Sequence, residues 1–129
     1  MNTQTLKNTQ NRTAVITGSG RGLGKETAVM LANQVENIVV CSRTKNEIDE
    51  VVNEIREIND HAKVLGQKCN VSISSQVNSL ITSAVDRFGS ESIDILVNNA
   101  GVAFDKKLVD TSEEEWDQTM DTNLKGAFL

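Results

Sequence analysis

The segment that most restricts the fold of this chain is Thr13-Ala14-Val15-Ile16-Thr17, a β-rich run that passes without a break into Gly18-Ser19-Gly20-Arg21-Gly22-Leu23-Gly24. Behind the glycines, Ala28, Val29, Leu31 and Ala32 supply the apolar face of a helix expected to end near Asn33. A strand that runs through glycines into a helix leaves backbone N–H groups and the positive helix end facing one spot, where a pyrophosphate can sit. Glycine suits such a turn because a Cβ would obstruct the bend, the approach of a phosphate and the helix–strand contact.

The rest of the chain repeats this alternation. Ile38-Val39-Val40-Cys41 is apolar at every position, the pattern of a strand buried on both faces. Thr44 and Glu47 have capping-box spacing. After them Ile48, Val51, Val52, Ile55 and Ile58 recur at helical intervals. Lys63–Cys69 reads as a weaker third strand. Val77, Leu80, Ile81, Ala84, Val85 and Phe88 form another helical stripe, with Gly89 placed as its C-terminal cap. Ile93–Val97 reads as a fourth strand. Ser112 and Glu115 open a last helical stretch that carries Trp116, Met120, Leu124 and Phe128. The order β-α-β-α-β-α-β-α predicts an α/β fold, a doubly wound parallel sheet with helices on both faces. No internal repeat or linker divides the chain, so residues 12–129 are read as one domain or part of one, behind a polar leader, Met1–Asn11.

Composition narrows the function. The 129 residues are 38% hydrophobic and 24% charged, with a net charge of −5 and an isoelectric point near 4.8. With no basic block, nucleic-acid binding through phosphate neutralisation is not expected. No apolar run approaches the roughly 18–20 residues of a membrane span. The leader has neither the apolar centre of a signal peptide nor the Arg-rich character of a transit peptide, so a cytoplasmic location is expected. Cys41 and Cys69 lie in apolar strand-like runs without Cys-x-x-Cys spacing and read as reduced core residues. With one His in the chain, no metal site is expected. The chain contains no Tyr.

Three nucleotide-binding patterns compete for the glycine cluster. A P-loop would need Gly where Ser19 stands and Ser or Thr where Glu26 stands. The Gly-x-Gly-x-x-Gly fingerprint fails from every glycine in the cluster. What fits is Thr17-Gly18-x-x-x-Gly22-x-Gly24, and Asn98-Asn99-Ala100-Gly101 follows directly after the fourth strand. Together these resemble the short-chain dehydrogenase/reductase family, a Rossmann-type group, and look most like its 3-oxoacyl-carrier-protein reductases and their close relatives. The resemblance spans essentially the whole chain after the leader.

The resemblance implies a truncated Rossmann sheet of strand order 3-2-1-4 and an oxidoreductase that interconverts a small-molecule carbonyl and an alcohol with a nicotinamide cofactor. Cofactor contacts are expected from Gly18, Ser19, Gly20, Arg21, Gly22, Leu23 and Gly24 at the phosphates. Asn99, Ala100 and Gly101 are expected at the adenosine ribose. Asn70 and Val71 stand where the family usually has Asp-Val at the adenine ring, with the amide still able to bond the adenine amino group; an ordinary strand-end Asn is the alternative. At the end of strand two an NAD site would place an acid. Here Ser42 and Arg43 stand there, and a guanidinium suits a 2′-phosphate. Arg21 is positioned to reach the same phosphate, so NADP(H) is expected over NAD(H); a solvated Arg43 is the alternative.

Asn123-Leu124-Lys125-Gly126 is similar to the family's Asn-x-x-Gly segment, in which the Asn bends a helix and holds the water of a proton relay. Asn123 is therefore the one catalytic residue expected in this chain. The family's Ser, Tyr and Lys lie beyond that segment. In the implied strand order the fourth strand would be an open edge, an aggregation hazard that natural sheets protect. The chain is accordingly expected to be the N-terminal part of a longer protein, a homodimer or homotetramer in its full-length form. A non-catalytic NADP(H)-binding or interaction module is the rival reading.

Overall fold

A computed structural model describes residues 11–89 and 91–129; the polar leader lies, except for Asn11, outside the described residues. Four parallel strands, β1 (Thr13–Thr17), β2 (Asn37–Ser42), β3 (Lys63–Lys68) and β4 (Ile95–Val97), form one sheet in the order β3-β2-β1-β4. Every strand runs the same way because a helical crossover joins each to the next: α1 (Gly22–Leu31), α2 (Lys45–Ile58) and α3 (Ser74–Phe88). After β4 come a 3-10 turn (Leu108–Asp110) and α4 (Glu113–Met120). A π-helical segment (Asp121–Lys125) and a last α-helical turn (Gly126–Phe128) complete the chain. The strand order and the α/β class are those the sequence implies.

The pleat divides the apolar residues between two cores. Ala14, Ile16, Ile38 and Val40 face α1 and α2 and pack with Ala28, Ala32, Ile48, Val51, Val52 and Ile55. The intervening Val15, Val39 and Cys41 face α3 and pack with Cys69, Leu80 and Ala84. Successive strand residues point to opposite sides, so the part of a strand covered on both sides is apolar at each position, as Ile38–Cys41 of β2 is. Gly66 on β3 sets how closely α2 can lie: a Cβ there would stand 2.7 Å from both Ile48 Cγ2 and Val52 Cγ2.

Several local expectations change. Ile58 is 53% exposed, although it continues the stripe of α2; it falls in the last turn of the helix. Thr44 precedes α2 but its side chain makes no capping bond. The Ser42 hydroxyl instead accepts from Thr44 N at 3.1 Å and donates to Thr44 O at 3.2 Å. β4 is shorter than Ile93–Val97 because Asp94 stops it: its carboxylate accepts from Thr13 N at 2.8 Å while its own N–H donates to Thr13 O at 3.0 Å. At α4 the capping box is complete, with Ser112 Oγ accepting from Glu115 N and the Glu115 carboxylate accepting from Ser112 N. Gly89 ends α3 in the left-handed region, φ 61°. No helix of the described residues is long and apolar enough to cross a membrane.

Candidate functional site

The carboxyl ends of β1, β2, β3 and β4 open into one cleft of about 340 Å³, at the edge where ligands bind in open α/β sheets. Gly18, Gly20, Arg21 and Gly22 line it from the turn after β1. Ser42, Arg43, Thr44 and Glu47 line it from the end of β2 and the start of α2. Cys69, Asn70 and Val71 contribute from beyond β3, and Asn99, Ala100, Gly101, Val102 and Thr122 close the far side.

The glycine turn is held from below. Ser19 is fully buried; its hydroxyl donates to Ile16 O at 2.7 Å and accepts from Cys41 N at 3.0 Å, while its own N–H donates to Cys41 O at 2.9 Å. These bonds staple the turn to β2, and the Ser19 side chain does not line the cleft. Leu23 is 81% exposed and also stands off the cleft. Gly24 lies beneath it, where a Cβ would come within 2.4 Å of both Asn99 Nδ2 and Gly18 O. Gly22 adopts φ +57°, a conformation that disfavours other residues, and has no heavy atom within 4 Å of an added Cβ. The space before the N-terminus of α1 is thus open, with helix amides at its back.

Hydrogen bonds join this turn to the loop after β4. Thr17 Oγ1 accepts from Asn99 N at 3.1 Å and Ala100 N at 3.0 Å. The Asn99 side-chain amide returns the connection, donating to Thr17 O at 3.0 Å and Gly18 O at 3.1 Å. Thr17 positions the cleft although sequence reasoning gave it no contact role; its hydroxyl at the end of β1, beside the Asn-Asn-Ala-Gly run, was the available signal.

Asn123 stands outside the cleft lining but controls part of it. Its Oδ1 accepts from Val102 N and its Nδ2 donates to Val102 O, both at 2.8 Å. A side-chain amide thereby replaces a backbone partner for the loop. Asn123 sits within the π-helical segment, a single widened turn in an otherwise α-helical stretch. The following turn leans on the β3 side, since a Cβ at Gly126 would stand 2.7 Å from Val71 Cγ2.

At the β3 corner the side-chain Oδ1 of Asn70 is already engaged, accepting from Ser72 N at 3.1 Å and Ser72 Oγ at 2.7 Å. The group left for a nucleobase is the amide NH2, a donor, so Asn70 suits a ring nitrogen better than the exocyclic amino group expected from sequence. Cys69 lines this corner beside Cys41. The Cys41 thiol is pushed well above its ordinary range by its hydrogen bond with Cys69 and by burial, which keeps it a neutral core residue.

The β2 corner carries opposed charges. Arg21 Nη1 lies 3.9 Å from Glu47 Oε1, with the Arg21 side chain 83% exposed and Glu47 only 31%. Glu47 and Ser42 both crowd Gly20: a Cβ there would stand 2.7 Å from Ser42 Oγ and 2.9 Å from Glu47 Oε2. From sequence Glu47 had only its capping-box spacing with Thr44. The signal that could have located it is Ile48: with Ile48 facing the sheet, the preceding residue lies about 100° round the helix.

Comparisons with known proteins identify the family of the chain. The family described as short chain dehydrogenase matches residues 12–129. The chain is 38% identical over 119 residues to the 3-oxoacyl-[acyl-carrier-protein] reductase FabG of Staphylococcus epidermidis, covering 92% of this chain and 47% of that protein. It therefore spans about half the length of the curated relatives it matches. Among solved structures, 7α-hydroxysteroid dehydrogenase complexed with NADH and 7-oxo glycochenodeoxycholic acid superposes with a TM-score of 0.85 at 27% identity, over 99% of this chain and 48% of that one. A variant of actinorhodin polyketide ketoreductase with NADPH gives 0.83 at 30% identity, over 91% and 43%. The Rossmann-type sheet is thus a shared feature, and the chain belongs to the short-chain dehydrogenase family.

Proposed function

We propose that this chain is the cofactor-binding part of an NADP(H)-dependent reductase that interconverts a carbonyl and an alcohol on a small molecule, with a 3-oxoacyl thioester as the substrate class its relatives suggest. What carries the reading is that one cleft collects the open turn at Gly22, the strand-end pair Ser42–Arg43, Asn70–Val71 and the Asn99–Gly101 loop. The residues fit a dinucleotide. The free space at Gly22 before α1 suits a pyrophosphate, the Asn70 amide suits an adenine ring nitrogen, and the small residues Ala100 and Gly101 suit a ribose. Ser19, Leu23 and Gly24 would act through the shape and backbone of the turn.

Preference for the phosphorylated cofactor rests on Arg21 and Arg43, two cations with no acid at the end of β2 itself. When bound, the nicotinamide supplies the hydride. This chain's own part is to seat the dinucleotide and, through Asn123, to hold the Val102 backbone at the cleft mouth. The proton-transferring Tyr that the family resemblance calls for is not among these residues, since the chain contains none. A cytoplasmic location is proposed alongside. So is assembly of the whole protein into homodimers or homotetramers through the last helical stretch, which exposes Trp116, Leu124 and Phe128.

The test is titration of the chain with NADPH and NADH, followed by cofactor fluorescence. Saturable NADPH binding tighter than NADH is expected, and Arg43→Asp should weaken NADPH by about tenfold or more, the worth of one or two charge-assisted bonds. An unchanged NADPH/NADH ratio in that variant would refute the role of Arg43. A chain that binds neither nucleotide would refute the cofactor reading.

A further inference from the structure

We infer that Glu47 is a specificity-determining residue, a resident carboxylate that occupies the Arg21 side of the pocket corner and restrains its preference for a phosphorylated ribose. The inference rests on the cofactor reading above and goes beyond it, because it concerns an acid supplied by α2 rather than by the end of β2. Three observations support it. Glu47 lines the cleft together with Arg21, Ser42 and Arg43. Its Oε1 lies 3.9 Å from Arg21 Nη1, and its carboxylate lies against Gly20, so that a Cβ on that glycine would reach Oε2 at 2.9 Å.

The neighbouring polar groups do little to offset it. The Ser42 hydroxyl is spent on Thr44, whose N–H it accepts and whose carbonyl it bonds. Lys45, in the first turn of α2, is paired with Asp49. The corner therefore presents two guanidinium charges and one carboxylate. A phosphate monoester carries a charge of about −1.5 to −2 near neutral pH, and it would have to share Arg21 with Glu47 and lie beside a like charge. A ribose bearing free hydroxyls meets no such repulsion, because a carboxylate accepts hydrogen bonds from hydroxyls. Glu47 thus penalises the 2′-phosphate and tolerates the 2′-hydroxyl, which lets one cleft take both cofactors with a modest ratio between them.

The experiment is a pair of binding titrations, NADPH and NADH, on the chain and its Glu47→Gln and Glu47→Ala variants, with far-UV circular dichroism to establish that each is folded. Removing the charge should tighten NADPH by about fivefold at low ionic strength, near the upper end of what a partly exposed ion pair delivers. NADH should be unchanged or weaker, and the NADPH gain should shrink as salt is added. A ratio unchanged in both variants, with the parent chain binding NADPH, would overturn the inference and leave the cofactor reading standing. Weaker NADPH binding in both variants would also overturn it, by showing that Glu47 serves to hold Arg21 in place. A parent chain that binds neither nucleotide would overturn both readings together.

Discussion

β2 and β4 flank β1 on opposite sides, yet they are held in place by different means. β2 is enclosed: Ile38, Val39, Val40 and Cys41 are fully buried between α1 and α2 on one face and α3 on the other. β4 has three residues, and Leu96 at its centre is 55% exposed. Ile95 and Val97 are only partly buried against the core, and side-chain hydrogen bonds do more to fix the β4 side: Thr13 to Asp94, Thr17 to Asn99 and Ala100, Asn99 back to Thr17 and Gly18, and Asn123 to Val102. Burial is non-directional and tolerates small shifts, whereas amide and hydroxyl bonds fix positions to tenths of an ångström. The cleft thus has one wall carried mainly by apolar packing and one that leans more on polar bonds.

The sharpest way to break that contrast is to cut one large apolar side chain on each strand. Ile38→Ala should cost about 2–5 kcal/mol, the range for truncating a buried isoleucine. Leu96→Ala, at a half-open site, should stay within about 0.5–1 kcal/mol. Urea unfolding followed by circular dichroism measures both, and equal losses would show that β4 is as enclosed as β2. Next in size is Asn99→Ala, which leaves Thr17 O and Gly18 O without their side-chain partner. A loss of about 1–3 kcal/mol is expected from unsatisfied acceptors. It should bring weaker nucleotide binding, because the turn and the far wall no longer share a brace.

The smallest effect comes from pH, at the opposite edge of the sheet. Glu36 accepts from Lys63 and from the backbone of Asn11, and these bonds hold its carboxyl below the ordinary value of 4.5. A carboxyl whose pKa is depressed in the folded state binds protons more readily once unfolded. Its contribution is therefore complete above that ordinary value and is lost as the pH falls from there through the depressed folded-state value. The melting temperature of Glu36→Gln should lie slightly below that of the parent near neutral pH, and the two should converge in acid. A gap that persists in acid would show that the pair does not act through charge.

The enclosed side was legible in the sequence because packing leaves a pattern. Continuous apolarity in β2 and the 3.6-residue stripe in α2 both follow from which faces are covered. The glycine turn was legible for a related reason, since a backbone that must bend and stay clear of side chains excludes most residue types. The polar wall left fainter traces. Asp94 falls inside an apolar run and reads as an interruption, whereas it marks the start of β4 by taking the N–H of Thr13. Ser19 sits in the middle of the glycine motif and reads as a ligand contact, but its short side chain turns inward to fasten two strands. Asn70 could be placed at the β3 corner, yet the direction of its amide depends on Ser72, which periodicity does not reveal. Glu47 was hidden by a plausible local role, because a capping box and a cleft-facing acid share the same spacing from Thr44.

The pairing of Asn123 with both backbone groups of Val102 also has a kinetic consequence. Solvent cannot exchange the Val102 amide proton until the Asn123 side chain swings away, and that side chain is anchored in the widened helical turn. The lifetime of the Val102 amide proton in hydrogen exchange therefore reports how often the contact between the loop after β4 and the widened turn breaks.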